Sequence, residues 1–144
     1  MAEKDYSATP LSAKLGIRAG AEVALVGSPP GFREALSPLA AGVRIHSRPR
    51  GELDVIVFFA SQRAELLRRL PDLAATLTPA GGLWIAWPKK ASKIESDLSF
   101  EAVQRIGLDA GLVDNKSCSI DADWQALRFV YRLRDRPGPP TGAR

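Results

Sequence analysis

Apolar positions along this chain fall into two alternating rhythms, short β-branched runs and longer stretches with an apolar residue every third or fourth position. The runs EVALV (22–26), VRIHS (43–47) and LDVIVFFA (53–60) predict three strands. The third is apolar on both faces apart from Asp54, the pattern of a central strand covered by helices. QRAELLRRLPDLAATL (62–77) places Leu66, Leu70, Leu73 and Leu77 on one helical stripe with Arg63, Arg68 and Arg69 largely off it, and Pro71 is expected to kink or split that helix. Thr9 and Pro10 suit the N-cap and first turn of a short helix ending near Gly16, and a second short helix starts near Phe32. Pro79-Ala80-Gly81-Gly82 reads as a turn into a fourth strand, LWIAW (83–87), which stops at Pro88-Lys89-Lys90. Ser96 or Asp97 is expected to cap the next helix, with Phe100, Val103 and Ile106 inward and Gly111 closing its C-terminus. Two last strands, LVDNKSCSI from Leu112 and ALRFVYRL from Ala126, flank a connection short enough for an antiparallel hairpin.

Strand and helix in alternation, followed by a hairpin, specify an α/β fold: a three-layer Rossmann-like sandwich, mainly parallel, with an antiparallel C-terminal hairpin. Residues 1–134 form one domain with a loose start over 1–8, and 135–144 read as a flexible Pro, Gly and Arg tail. One connection resists this scheme. Ser47 to Leu53 is too short for the dozen residues of a usual parallel crossover, so the second strand is either very short or locally antiparallel.

Length and composition agree with a single globular unit: 144 residues, 45% hydrophobic and 25% charged. The formal charge of +4 is concentrated at the end, because residues 132–144 carry four Arg and one Asp while the rest of the chain is near +1. One Cys, Cys118, rules out an internal disulfide, and one His, His46, leaves no Cys and His set for zinc. No apolar leader or membrane-length run is present, so a cytoplasmic location is expected. His46 alternates with Val43 and Ile45 on the polar side of a strand, and no catalytic residue is assigned.

The order of pieces resembles the second half of a class I S-adenosylmethionine-dependent methyltransferase: a central strand and helix, a turn like LTPAGGL, a strand, a helix and a hairpin. More closely, the span from about Tyr6 to Leu133 resembles a family of small actinobacterial domains of unknown function with a Rossmann-like, methyltransferase-like fold. TPLSAKLGI, VALVGSPPGF, LDVIVFF, GGLWIAWPKKAS and LRFV carry that resemblance, WPKKAS most specifically. It implies a truncated methyltransferase fold and no particular chemistry. The features a methyltransferase needs are altered here. The turn Gly27-Ser28-Pro29-Pro30-Gly31 has two prolines where a second glycine is wanted, and arginines follow the second strand where a ribose-binding acid belongs, with Glu52 a late substitute.

Ligands of open α/β sheets sit beyond the carboxyl ends of the parallel strands. There the sequence supplies Gly27, Ser28 and Gly31 after strand one, Arg48 after strand two, Ser61 after strand three, and Trp87, Lys89, Lys90, Ser92 and Lys93 after strand four. Helix N-terminal amides, hydroxyls and cations together suit a phosphate or carboxylate, and Trp87 is placed to stack on a base. The expected activity is non-catalytic binding of a phosphorylated small molecule or nucleotide at this edge. No cofactor is assigned; S-adenosylmethionine and a nucleotide are the two the fold admits. The alternatives are a methyltransferase with a degenerate cofactor motif, and a nucleic-acid or protein adaptor using the tail with Arg44, Arg48 and Arg50. The scarcity of exposed aromatics argues against nucleic acid, and the oligomeric state is not legible.

Overall fold

The computed structural model describes residues 9–132. Its elements run α1 (Leu11–Lys14), β1 (Glu22–Val26), α2 (Phe32–Ala35), β2 (Arg44–His46), β3 (Leu53–Phe59), α3 (Arg63–Ala75), β4 (Leu77–Pro88), α4 (Phe100–Asp109), β5 (Leu112–Ser119) and β6 (Trp124–Tyr131). The strands form one six-stranded sheet in the order β2-β1-β3-β4-β6-β5, in which only β6 runs against the others. The α/β class and the closing hairpin are therefore as the pattern predicts. The expected loose start (1–8) and tail (135–144) lie outside the described residues.

Alternation along the central strands divides the core into two layers. Ile56, Phe58, Leu83, Ile85 and Trp87 face α3 and α4, where Leu66, Leu70, Leu73, Val103 and Ile106 meet them. Val55, Val57, Phe59, Trp84 and Ala86 point the other way, onto Leu15, Phe32 and Leu36 around α1 and α2. Of the expected inner face of α4, Phe100 is the exception: it is 41% exposed and leans edge-on against Trp87.

The difficult second strand is parallel and three residues long. His46 lies level with Ala24 and Ile56, so the chain must descend only about three residues, roughly 10 Å, to start β3. Six residues cover that distance without a helix. On the α3 and α4 side Ala24 and Val26 of β1 are buried, whereas Glu22, Arg44 and His46 at the β2 edge keep access to water; His46 Nε2 lies 2.8 Å from Glu22 Oε1.

Several local expectations are corrected. Pro71 does not split α3, which continues through it. Pro71 is on the exposed side, and the carbonyl it leaves without an N–H donor, four residues back at the 52% exposed Leu67, can turn to water. Pro10 itself is the N-cap of α1, with no side-chain cap from Thr9. The α4 cap is Ser99, whose Oγ accepts from the Ala102 N–H, while Ser96 Oγ accepts from Leu98 N in the preceding turn. Gly111, at φ +92, ends α4 as expected. The turn expected at 79–82 is a bulge inside β4: Leu53 pairs with Leu77 and Val55 with Gly82, so Thr78 to Gly81 oppose Asp54 alone. No helix of the described residues is long and apolar enough to cross a membrane.

Candidate functional site

From β1 the chain first moves outward to β2 and then returns to β3 on the other side of β1. That reversal makes the carboxyl end between β1 and β3 the switch point at which open sheets hold ligands. The exits of β1, β3 and β4 are adjacent there, since Val26 pairs with Phe58 and Phe59 with Ala86. Ser28, Ser61 and Lys89 follow these strands and are half-buried, Lys90 and Lys93 are exposed, and Ser92 is half-buried in the turn after β4. Arg48 stands one strand further out, exposed, beside a cavity of about 390 Å³ that it shares with His46 and Arg50.

Other parts of the expected site change on inspection. Trp87 is 2% exposed and its ring belongs to the core under α4, so it presents no face for a base. The aromatic residues along this end of the sheet are instead Phe32, Phe59 and Trp124, packed edge to face with centroids 4.8 and 5.0 Å apart. The helix after β1 is a single four-residue turn, too short to supply a helix-terminal anion site. The longer helix after β3 has its first turn occupied by the chain itself, because Asp97 Oδ1 accepts from the Arg63 N–H at 2.6 Å. Gly27, at φ +70, is explained by packing: a Cβ there would stand 3.0 Å from the Phe59 carbonyl oxygen.

The charge at this edge is also less one-sided than the order of residues suggests. Because β6 runs antiparallel to β4, its start lies where β4 ends, and Asp121 and Asp123 arrive beside the lysines. Lys89 N donates to the Asp123 carbonyl at 2.8 Å and Lys89 Nζ to Ser119 Oγ at 2.6 Å. Asp121 Oδ1 accepts from the N–H groups of Asp123 and Trp124, which fixes the hairpin turn. Carboxylates and ammonium groups therefore share the edge. Sequence reading did not place Asp121 and Asp123 at this edge, because only pairing tells which end of the sheet the hairpin turn reaches.

The larger of the two described cavities, about 590 Å³, lies at the opposite, amino edge of the sheet. Arg128 and Gly81 of the β4 bulge line it, and none of its residues is among those expected at the carboxyl edge. A signal was present: Arg128 interrupts the apolar run of β6, and Gly81-Gly82 stand at the β4 bulge across from it. No group of three or more His, Cys, Asp or Glu suited to a metal occurs among the described residues.

Among solved structures, the chain is similar to an S-adenosylmethionine-dependent methyltransferase from Aquifex aeolicus, with a TM-score of 0.58 and 16% identity over 81% of this chain and 85% of that one. It is similar to magnesium protoporphyrin IX methyltransferase from Synechocystis PCC 6803 with bound SAM, with a TM-score of 0.59 and 14% identity over 90% of this chain and 78% of that one. An O-methyltransferase family 2 protein from Planctomyces limnophilus gives a TM-score of 0.61 and 13% identity over 79% of this chain and 50% of that one. At such identities the likeness is one of fold: a methyltransferase-like Rossmann sheet. No protein-family model and no curated protein matches the chain.

The residues present do not fit the cofactor that this fold brings to mind. Gly27 answers to the β3 backbone, Pro29 and Pro30 stiffen the turn beside it, and β2 exits into Ser47-Arg48-Pro49-Arg50 with no acid. Glu52 is no substitute, because it directly precedes β3 and so stands at the amino edge.

Proposed function

We propose that this chain holds a small anionic molecule of the nucleotide class at the β1–β3 switch point, and that holding it, rather than transforming it, is its activity. The observation that carries this reading is the adjacency of three strand exits bearing Ser28, Ser61 and the Lys89-Lys90 pair at the one place where an open sheet offers a crevice. The hydroxyls and ammonium groups supply donors to an anion. The likeness to an actinobacterial Rossmann-like family belongs with this reading and adds fold without chemistry.

The fold comparisons favour a second reading, an S-adenosylmethionine-dependent methyltransferase, more directly than they favour a binder. The neighbouring Asp121 and Asp123 would suit a ligand that also bears positive charge. Against it stand the arginines where a ribose acceptor belongs and the glycine consumed by packing. Isothermal titration with ATP, inorganic phosphate, S-adenosylmethionine and S-adenosylhomocysteine separates the two. The binder reading expects a component of the ATP heat that is lost in Lys89→Ala/Lys90→Ala and no heat with the sulfonium cofactor. Binding of S-adenosylmethionine in preference to ATP would replace it with the second reading, and silence with all four ligands would remove both.

A further inference from the structure

The cleft at the amino edge combines features that the carboxyl edge lacks. Four cations, Lys14, Arg18, Lys116 and Arg128, line one cavity of about 590 Å³ together with a single carboxylate, Asp54. That carboxylate is already engaged, since its Oδ2 accepts from the Glu22 N–H at 2.9 Å. Volumes of this order hold whole small molecules rather than single ions.

Arg128 is built into the floor of the cleft. It stands on β6 opposite Trp84, and its guanidinium lies across Gly82: a Cβ at that position would come within 2.3 Å of Nε and 2.6 Å of Cζ and Nη2. Only a glycine lets the flat group rest there. Gly81 is equally constrained, because a Cβ would stand 2.9 Å from the Asp54 carbonyl oxygen and 2.8 Å from Thr78 Oγ1. The bulge therefore shapes the cleft, and Arg128 Nη1 donates to Asn115 Oδ1 at 3.3 Å. The opposite wall is anchored as well: Trp84 Nε1 donates to the Leu15 carbonyl at 2.9 Å, tying the end of α1 to the sheet beside Lys14 and Arg18. Partial burial, and then the charge of Arg18, hold the Arg128 guanidinium below its ordinary arginine value. Cations gathered against their own repulsion are relieved by an anion between them.

We infer that this cleft is a binding site for a small molecule bearing two or more phosphate groups. Several fixed and mobile cations around one cavity match a ligand that spreads negative charge over many oxygens, and the arginine fork can engage two of them at once. The site lies at the end of the sheet opposite the switch point and is independent of the ligand proposed there.

Inorganic pyrophosphate is the probe, measured by isothermal titration and by thermal melting of the full chain. Pyrophosphate is expected to bind more tightly than orthophosphate, to raise the melting temperature, and to lose affinity steeply with added salt. Lys14→Ala/Lys116→Ala changes two exposed side chains, so it is expected to leave the melting of the unliganded protein in place while weakening pyrophosphate by about tenfold or more. Arg128→Gln is expected to weaken it at least as much, and Lys89→Ala/Lys90→Ala to leave it unchanged. No stabilisation at millimolar pyrophosphate, or equal affinity in wild type and Lys14→Ala/Lys116→Ala, overturns the inference. Loss confined to Lys89→Ala/Lys90→Ala also overturns it, by placing the anion at the other edge.

Discussion

Gly107 lies in the last turn of α4, where helix propensity alone says that alanine is better by up to about 1 kcal/mol. Its tertiary surroundings reverse that sign. A Cβ on Gly107 would stand 2.0 Å from Cε2 of Phe129 and 2.5 and 2.6 Å from Cδ2 and Cζ, where carbon atoms in contact want roughly 3.5–4 Å. Phe129 is fully buried on β6 and paired with Leu83 of β4, so its ring has no room to swing away. Overpacking of a filled core costs about 1–3 kcal/mol, and an overlap approaching 2 Å belongs at or above the top of that range. After the helix gain is subtracted, Gly107→Ala should destabilise the protein by about 2–3 kcal/mol. At roughly 3–4 °C per kcal/mol for a chain of this size, the melting temperature should fall by roughly 6–12 °C. Urea unfolding followed by circular dichroism measures this directly, with the midpoint lowered and the slope unchanged. Pairing the change with Phe129→Leu should recover part of the loss, because the smaller side chain vacates the contested space. A Gly107→Ala protein as stable as the parent, or more so, would refute the close packing of α4 on β6.

Other expectations rest on separate contacts. Asp97→Ala removes the carboxylate from the first turn of α3 and should cost about 1 kcal/mol in urea unfolding, with Asp97→Asn retaining part of it. Gly27→Ala forces a side chain to φ +70 and against the Phe59 carbonyl, and should lower stability by about 1–2 kcal/mol with no ligand present; a neutral result would return Gly27 to a ligand-facing role. Leu66→Ala, at a position with no exposure between α3 and the sheet, should cost about 2–5 kcal/mol. Burial pushes the Cys118 thiol above its ordinary value of 9.0, outweighing the opposing effect of Lys14, Lys116 and Lys89. A raised value means less thiolate, so at about pH 8 a disulfide reagent should react with the folded chain more slowly than with the urea-unfolded chain; equal rates would contradict that burial. The same shift predicts stability that is present below the unfolded thiol value and falls as pH rises through it toward the folded value.

The chain's own pattern determined the class of fold and most of its strands, because burial is written locally. Glu22–Val26 and Leu53–Phe59 are apolar at the positions that end up inside, and Leu66, Leu70 and Leu73 keep the spacing that one helix face requires. Ser28, Ser61, Lys89 and Lys90 could be assigned to one end of the sheet because each follows a parallel strand, and parallel strands all end on the same side. What neighbours in space do to one another was not legible. Trp87 looked like a pocket wall and is core, since whether the last residue of a strand is covered depends on α4 packing across it. Ser99 capped the helix expected to start from Ser96 or Asp97, leaving Asp97 for the first turn of α3, a partner 34 residues away. Asp121 and Asp123 reached the lysines only through the antiparallel direction of β6, and the amino-edge cleft exists only because a bulge in β4 meets Arg128 from a strand far along the chain. Periodicity reports which side chains avoid water. Register and strand direction decide which charges meet, and no local pattern encodes them.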